Sequence, residues 1–429
     1  MHKTFNKTIL ISSYAPPSLG GPQNLYNLLR DTDPSSYCIL TSFYNIDNIS
    51  AKIGTWLKGE YIFYDSISTT KNIVRENSKS KLIAKKRSFI SKLKYLVKRY
   101  TFIREIMGIP IILNPIIAIV SKGRTTIKNK EIDSIIGFSD YGPAMIGAYI
   151  LHKITRKRYN IFLFDIYKGN FFPFPGNLLA NILEPFMFKS ASHIIVTNEG
   201  TRDFYIKRYG KNISKKIVTI HNSTFKEPYL KLNKSYQLHK SYTIVFTGRI
   251  YWPQIESLKN LIKAVVDIKD IDIKLKIYSP SPKDYLKEIG IMESEKIKIE
   301  VAPSDQMPEI QNSADILFLP LSWHTKSQAI IDTATPGKLT DYLIAGKPIL
   351  IHAPSSTFVA KYAKENDFAE VVDIEDNDIL IKSIKHLISN KEYSDKLVTN
   401  AQKIFYKNHD AIINAKIITK IINNTLWKQ

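Results

Sequence analysis

Short apolar runs alternate with segments whose apolar positions recur at helical spacing, and the alternation occurs twice along the chain. This is the pattern of an α/β protein with parallel sheets. In the first half the runs predict strands at Thr8–Ile11, Ser36–Phe43, Ser134–Gly137, Tyr159–Phe164, His193–Thr197 and Val218–His221, with a helix carrying Leu25, Leu28 and Leu29 on one face. The second half restarts at Tyr242–Phe246. A helix follows with Leu258, Leu261, Ile262, Val265 and Val266 at i, i+3, i+4, i+7 and i+8. Further strands are expected at Leu275–Tyr278, Ile297–Val301, Ile316–Leu319 and Pro348–His352. Between the halves, the polar, lysine-rich stretch Ser223–Ser241 reads as an interdomain linker. From Lys391 onward the pattern is helical, ending on Ile412, Ile413, Ile417, Ile418, Ile421 and Ile422. The expected organisation is a first domain over 1–225, a second over 241–400 and a closing helix over 401–429.

The most informative stretch runs from Pro336 to Leu350. Pro336-Gly337 stops any upstream helix, and Leu339, Leu343 and Ile344 share one face of a new one. Gly346 and Pro348 end it before a buried strand. Lys338 and Asp341 fall in its first turn. A cation at a helix start suits an anion, and an acid one turn later suits sugar hydroxyls. Together they meet the needs of a nucleotide diphosphate-sugar. Arg249 stands beside Gly248 at the end of the second domain's first strand, the edge where open α/β sheets bind ligands. Arginine as a fork and lysine as a point charge form a diphosphate clamp. In the first domain, Gly20 and Gly21 close the loop after the first strand and let backbone approach a ligand. The G-x-G-x-x-G spacing of dinucleotide oxidoreductases is absent there.

Charge adds a partner class. The formal net charge of +22 over 429 residues calls for an anionic counterpart: phospholipid, nucleotide or nucleic acid. Between Lys81 and Arg104, Phe89, Leu93, Leu96, Val97 and Tyr100 line one helical face, with Arg87, Lys92, Lys94, Lys98 and Arg99 around the rest. Such a helix suits an anionic bilayer surface. The apolar run Ile109 to Val120 is interrupted by Pro110 and Pro115 and is too short to span a membrane. The single cysteine, Cys38, rules out an intrachain disulfide, and no signal peptide is apparent. Both favour a cytoplasmic protein held peripherally at the inner face of the plasma membrane. No His-x-His or cysteine cluster exists, so no metal and no cofactor is expected.

The loop with Gly20-Gly21, the turn Phe246-Thr247-Gly248-Arg249 and the run Pro336-Gly337-Lys338-Leu339-Thr340-Asp341-Tyr342-Leu343 followed by Ala345-Gly346-Lys347-Pro348 resemble a GT-B glycosyltransferase of family 4. The resemblance implies two Rossmann-like domains facing a cleft, with the C-terminal helix crossing back to the first domain. It implies acceptor binding by the first domain and a nucleotide-sugar donor, a substrate and not a cofactor, in the second. Arg249 and Lys338 then match diphosphate contacts, Asp341 the acid on the ribose hydroxyls, and Gly20 and Gly21 the loop over the donor. Asp165 and Asp140 are the candidate catalytic acids at the cleft, and Asn222 matches the asparagine ending the first domain's last strand. The resemblance implies sugar transfer, with retention, to a lipid-linked or oligosaccharide acceptor in surface-polysaccharide synthesis. The family's frequent pair of glutamates seven residues apart is missing, since no glutamate lies between Glu309 and Glu365. Thr333 and Asp332 stand where the first would fall. Two other readings compete: a nucleotide-sugar 2-epimerase on the same fold, and a non-enzymatic nucleic-acid binder motivated by the charge. No nucleic-acid partner is expected, because the Lys338/Asp341 helix start has no purpose in that reading.

Overall fold

A computed structural model of the chain describes residues 7–16, 20–42, 56–65, 101–140, 142–170, 172, 174–232 and 241–426, with backbone alone over 101–108. Most of the basic amphipathic stretch expected between Lys81 and Arg104 lies outside these residues.

Among the described residues, thirteen strands form two all-parallel sheets. The first joins β1 (Lys7–Ile11), β2 (Tyr37–Thr41), β3 (Glu60–Phe63), β4 (Ile132–Phe138), β5 (Arg158–Leu163), β6 (His193–Val196) and β7 (Ile217–Thr219) in the order β3-β2-β1-β4-β5-β6-β7. The second joins β8 (Tyr242–Thr247), β9 (Ile273–Tyr278), β10 (Ile297–Glu300), β11 (Ile316–Pro320), β12 (Ile349–His352) and β13 (Glu370–Val372) in the order β10-β9-β8-β11-β12-β13. Sheets of this type are covered by helices on both faces, so their central strands read as unbroken apolar runs. β2, β11 and β12 are buried throughout. Alternate side chains of β8 divide between two cores: Ile244 and Phe246 join Leu258, Leu261 and Val265, while Val245 joins Leu339, Tyr342 and Leu343.

The chain divides into two units. One comprises Met1–Thr197, Thr201–Ile220 and Ala415–Gln429, the other Asn198–Gly200 and His221–Asn414. The helix Ala411–Ile422 therefore ends in the first unit, as the closing helix was expected to do. Ile418, Ile421 and Ile422 enter the core that holds Leu10, Leu25 and Leu28. Thr8 Oγ1 donates to the Ile422 carbonyl at 2.9 Å, and Thr32 and Thr419 hydroxyls meet at 3.2 Å.

The apolar run with two prolines is not an interrupted segment. Pro110 and Pro115 lie inside one helix, Thr101–Asn129. Each proline removes a helical hydrogen bond. Packing offsets the loss: Ile112, Ile116 and Ile119 are buried, and Ile119 presses on Gly147 of the helix Pro143–Thr155, where an added Cβ would come within 2.5 Å of it. Gly123 receives Leu151 in the same way, also with a 2.5 Å clash on Cβ addition.

Candidate functional site

In the first unit, β1, β4 and β5 are neighbours, and the loops leaving their carboxyl ends gather the residues singled out there. Asp140, just past β4, has its carboxylate turned onto the β1 loop. It accepts from Ser13 N–H at 2.7 Å, Tyr14 N–H at 3.3 Å and the Ser12 hydroxyl. Its observed work is to hold that loop. Gly20 adopts φ +83°, a conformation that favours glycine, and nothing crowds its Cα. Gly21 begins the helix Gly21–Leu29 and lies flat on the Phe164 ring, where a Cβ would come within 2.4 Å. Phe164 is tied to β4 through its N–H, which donates to Ser139 Oγ at 3.0 Å. Asp165 follows it and is solvent-accessible. Surrounding protein thins its hydration and pushes its carboxyl above the usual range.

In the second unit, β8 ends in Thr247-Gly248, with Gly248 at φ +110°. Lys338 opens the helix Lys338–Ile344 and folds beneath this turn. Its Cε would lie 3.3 Å, and its Nζ 3.6 Å, from a Cβ added at Gly248. The ammonium rests 3.7 Å from the centre of the Phe246 ring and has no hydrogen-bond acceptor among the described residues. Burial holds its pKa well below that of an ordinary lysine. A cation stripped of water and given only a ring face is poised for an anion. Backbone adds little here: Leu339 and Thr340 amides already donate to Pro336 and Gly337 carbonyls at 2.9 and 3.3 Å. Arg249 is exposed on the same turn and pairs with no described carboxylate.

One turn after Lys338, Asp341 is pushed up to about 6 by burial, with the Thr224 and Tyr229 hydroxyls against its carboxyl opposing the shift. Tyr229 also reaches Gln311 Oε1 at 2.7 Å, Gln311 Nε2 donates to Thr247 Oγ1 at 3.2 Å, and the Tyr342 hydroxyl accepts from Thr247 N–H at 2.9 Å. This chain of polar contacts couples the acid to the end of β8.

The segment leading into Lys338 is held from behind. Asn198 Nδ2 donates to Thr333 O at 2.9 Å and Thr335 Oγ1 at 2.8 Å, and Asn222 Nδ2 donates to Thr335 O at 3.0 Å. Thr333 spends its hydroxyl on Ala329 O at 2.7 Å, and Asp332 accepts from Gln328 at 2.8 Å and Ser356 at 2.6 Å. The structure thus gathers Gly20, Gly21, Asp140 and Asp165 at one sheet edge of the first unit, and Arg249, Lys338 and Asp341 at one sheet edge of the second. Sequence reasoning placed Phe246 in the Phe246–Arg249 turn without a role, and it did not find Tyr229, Gln311 and Asn198. No motif marks them, because they meet only through the fold.

No protein-family profile and no characterised protein sequence matches the chain. Solved structures match over nearly its whole length. A glycosyltransferase from Rickettsia africae ESF-5 is similar at TM-score 0.63 and 12% identity, covering 99% of this chain and 100% of that one. Anabaena Alr3699/HepE in complex with UDP-glucose is similar at TM-score 0.64 and 14% identity, over 99% and 100%. Sucrose-phosphate synthase from Thermosynechococcus elongatus is similar at TM-score 0.63 and 11% identity, over 99% and 100%. With its two parallel Rossmann-like sheets and the returning C-terminal helix, the chain has the GT-B fold. Among the described residues no helix is long and apolar enough to cross a membrane.

Proposed function

We propose that this protein is a glycosyltransferase that takes a sugar from a nucleotide diphosphate-sugar and moves it to a lipid-linked or oligosaccharide acceptor. The observation that carries the reading is the unpaired Lys338 ammonium under Gly248, one helical turn from Asp341. In the proposed mechanism Lys338 and Arg249 stabilise charge developing on the departing diphosphate. Asp341 accepts hydrogen bonds from the ribose. Gly20 and Gly21 carry the loop over the donor. Of the two candidate acids, Asp165 faces the acceptor side while Asp140 holds the Ser12–Tyr14 loop beside it, and the sugar is transferred with retention. The UDP-glucose complex of the Anabaena protein supports the donor class.

The test is a thermal-shift panel of UDP, GDP, dTDP and ADP, each with and without an attached sugar, run on the intact protein and on Lys338→Ala. A shift for one nucleotide class, lost in the variant, is the expected result. An equal shift in the variant removes the centre of the reading. UDP-N-acetylglucosamine 2-epimerase structures share the fold at TM-score 0.56. Conversion of a nucleotide-sugar without any acceptor would favour that activity instead.

The acceptor is proposed to lie on an anionic lipid surface as part of surface-polysaccharide synthesis. The helix Gly176–Ser190 turns Leu178, Ile182 and Phe186 to solvent, and Ile111, Leu113 and Ile117 are exposed on Thr101–Asn129. Ile112 approaches Gly176, which brings the two helices together: its Cδ1 would lie 3.2 Å from an added Cβ. Solvent-facing apolar stripes of this kind mark a docking surface. The charge of the surrounding helices fits phospholipid. Over 109–129, 143–155 and 176–190 they carry Lys122, Arg124, Lys128, Lys153 and Lys189, and their one acid, Glu184, is buried.

A further inference from the structure

Three side chains from distant parts of the second unit converge. Glu256 stands in the first turn of the helix Ile255–Asp267, His324 in the loop after β11, and Glu375 in the loop after β13. One atom from each, Glu256 Oε1, His324 Nε2 and a Glu375 oxygen, lie within 4.8 Å of one another. No other group of three such side chains meets that condition among the described residues.

The separations fit a small transition metal. A tetrahedral zinc ion with ligands at about 2.0–2.1 Å sets ligand-to-ligand distances of about 3.4 Å. His324 Nε2 is already 3.3 Å from Glu375 Oε2, and 3.9 Å from Glu256 Oε1. The third edge, between the two carboxylates, is within 4.8 Å, so rotamer adjustments of up to about 1.4 Å close the triangle. His324 is 81% exposed and has room to move.

The outer contacts of the two carboxylates are the stronger argument. Each glutamate spends one oxygen on the protein and leaves the other facing the imidazole. Glu256 Oε2 accepts from the backbone N–H groups of Trp323 at 2.9 Å and His324 at 3.1 Å, which leaves Oε1 free. Glu375 Oε1 accepts from Asn260 Nδ2 at 3.3 Å, which leaves Oε2 free. Metal-binding carboxylates are oriented in this way, by hydrogen bonds to the oxygen that does not ligate.

We propose that Glu256, His324 and Glu375 bind one zinc ion, with water in the fourth position. Neutral imidazole with two carboxylates suits zinc, whereas magnesium requires an octahedral shell of oxygens. The site clamps the 321–327 loop, which runs into the helix Gln328–Thr333 and on to Lys338, against the start of Ile255–Asp267 and the loop after β13. It is a positioning site and takes no part in sugar chemistry. The sequence offers no sign of it, since the three ligands share no motif.

The competing reading is a polar side-chain cluster that holds no metal. The deciding experiment titrates chelator-stripped full-length protein with zinc by calorimetry at pH 7.5, and with cobalt by visible absorption, beside His324→Ala, Glu375→Gln and Asn260→Ala. Expected are one zinc per chain, a tetrahedral cobalt spectrum, at least tenfold weaker binding in the two ligand variants, and a smaller loss in Asn260→Ala. Absence of zinc binding to the intact chain, or equal binding by His324→Ala, overturns the proposal and leaves a metal-free polar cluster. The site shares no side chain with Lys338, Arg249 or Asp341, so its failure and that of the donor reading are separate results.

Discussion

Asp341 carries the sharpest consequence of the proposed donor site. Its carboxyl is raised from 3.8 to about 6 by burial, so the folded protein holds that proton more tightly than the unfolded chain. The sign follows directly. Between pH 4 and 6 the folded state binds more protons, so stability falls as pH rises through this window and stays reduced above it. A shift of about two units corresponds to about 3 kcal/mol at neutral pH, taken as an upper limit because solvent still reaches part of the Asp341 residue. Asp341→Asn keeps the shape, keeps polar partners for Thr224 and Tyr229, and removes the charge. The variant should therefore be more stable than the parent at pH 7, by up to about 3 kcal/mol. At pH 4.5, where the folded carboxyl is protonated but the unfolded one is still largely ionised, the gain should shrink to about 1 kcal/mol, and below about pH 3 it should vanish. Paired unfolding curves at the two pH values measure it, and a nucleotide titration at pH 7 should show weaker donor binding in the same variant. Asp341 would then be a residue retained at a cost to the empty protein. A variant less stable than the parent at pH 7, or a gain of equal size at both pH values, refutes the reasoning.

Lys338→Ala should weaken nucleoside-diphosphate binding by about 1.5–3 kcal/mol, the range for a charged hydrogen bond, while leaving the melting temperature level or higher; calorimetry and a melt check both. Gly248→Ala forces a side chain into φ +110° and against Lys338. A cost of about 1–3 kcal/mol is expected, together with a drop in nucleotide affinity, measured on the same two instruments. In the first unit, Glu184 is fully buried and takes Lys168 N–H at 2.6 Å, the Tyr209 hydroxyl at 2.6 Å and Arg208 at 3.0 Å. Glu184→Ala strands those donors and should lower stability by about 3–5 kcal/mol in chemical denaturation. Ile182→Glu with Phe186→Glu should reduce flotation with phosphatidylglycerol vesicles severalfold without changing the melt; unchanged flotation would move the lipid contact elsewhere.

The strands that the sequence displayed most plainly are those buried on both faces, because such strands have no polar positions to interrupt the run. β3 and β13 escaped notice for the opposite reason. Both lie at sheet edges, one reading Glu60-Tyr61-Ile62-Phe63 and the other only three residues long. The helix Thr101–Asn129 was obscured by prolines that local rules forbid and close packing on Gly147 and Gly123 permits. At the candidate site, Arg249, Lys338 and Asp341 stand in short motifs, so they were visible one residue at a time. The ring under Lys338, the Tyr229–Gln311 contacts beside Asp341 and the asparagines behind Thr335 come from separate segments. Only the folded chain brings them into register.

The returning helix has a bearing on how the protein is made. The first unit draws its last piece, 415–429, from beyond the entire second unit, and Ile418, Ile421 and Ile422 are part of the core against Leu10, Leu25 and Leu28. On the ribosome, domains tend to fold as they emerge. Here the first half must wait, with an apolar groove open, until the second half has been translated. A stalled or shortened chain that lacks those isoleucines would leave that groove exposed to chaperones and to aggregation, while the second unit could already be folded. Only a chain translated through Ile422 can complete the core that holds Leu10, Leu25 and Leu28.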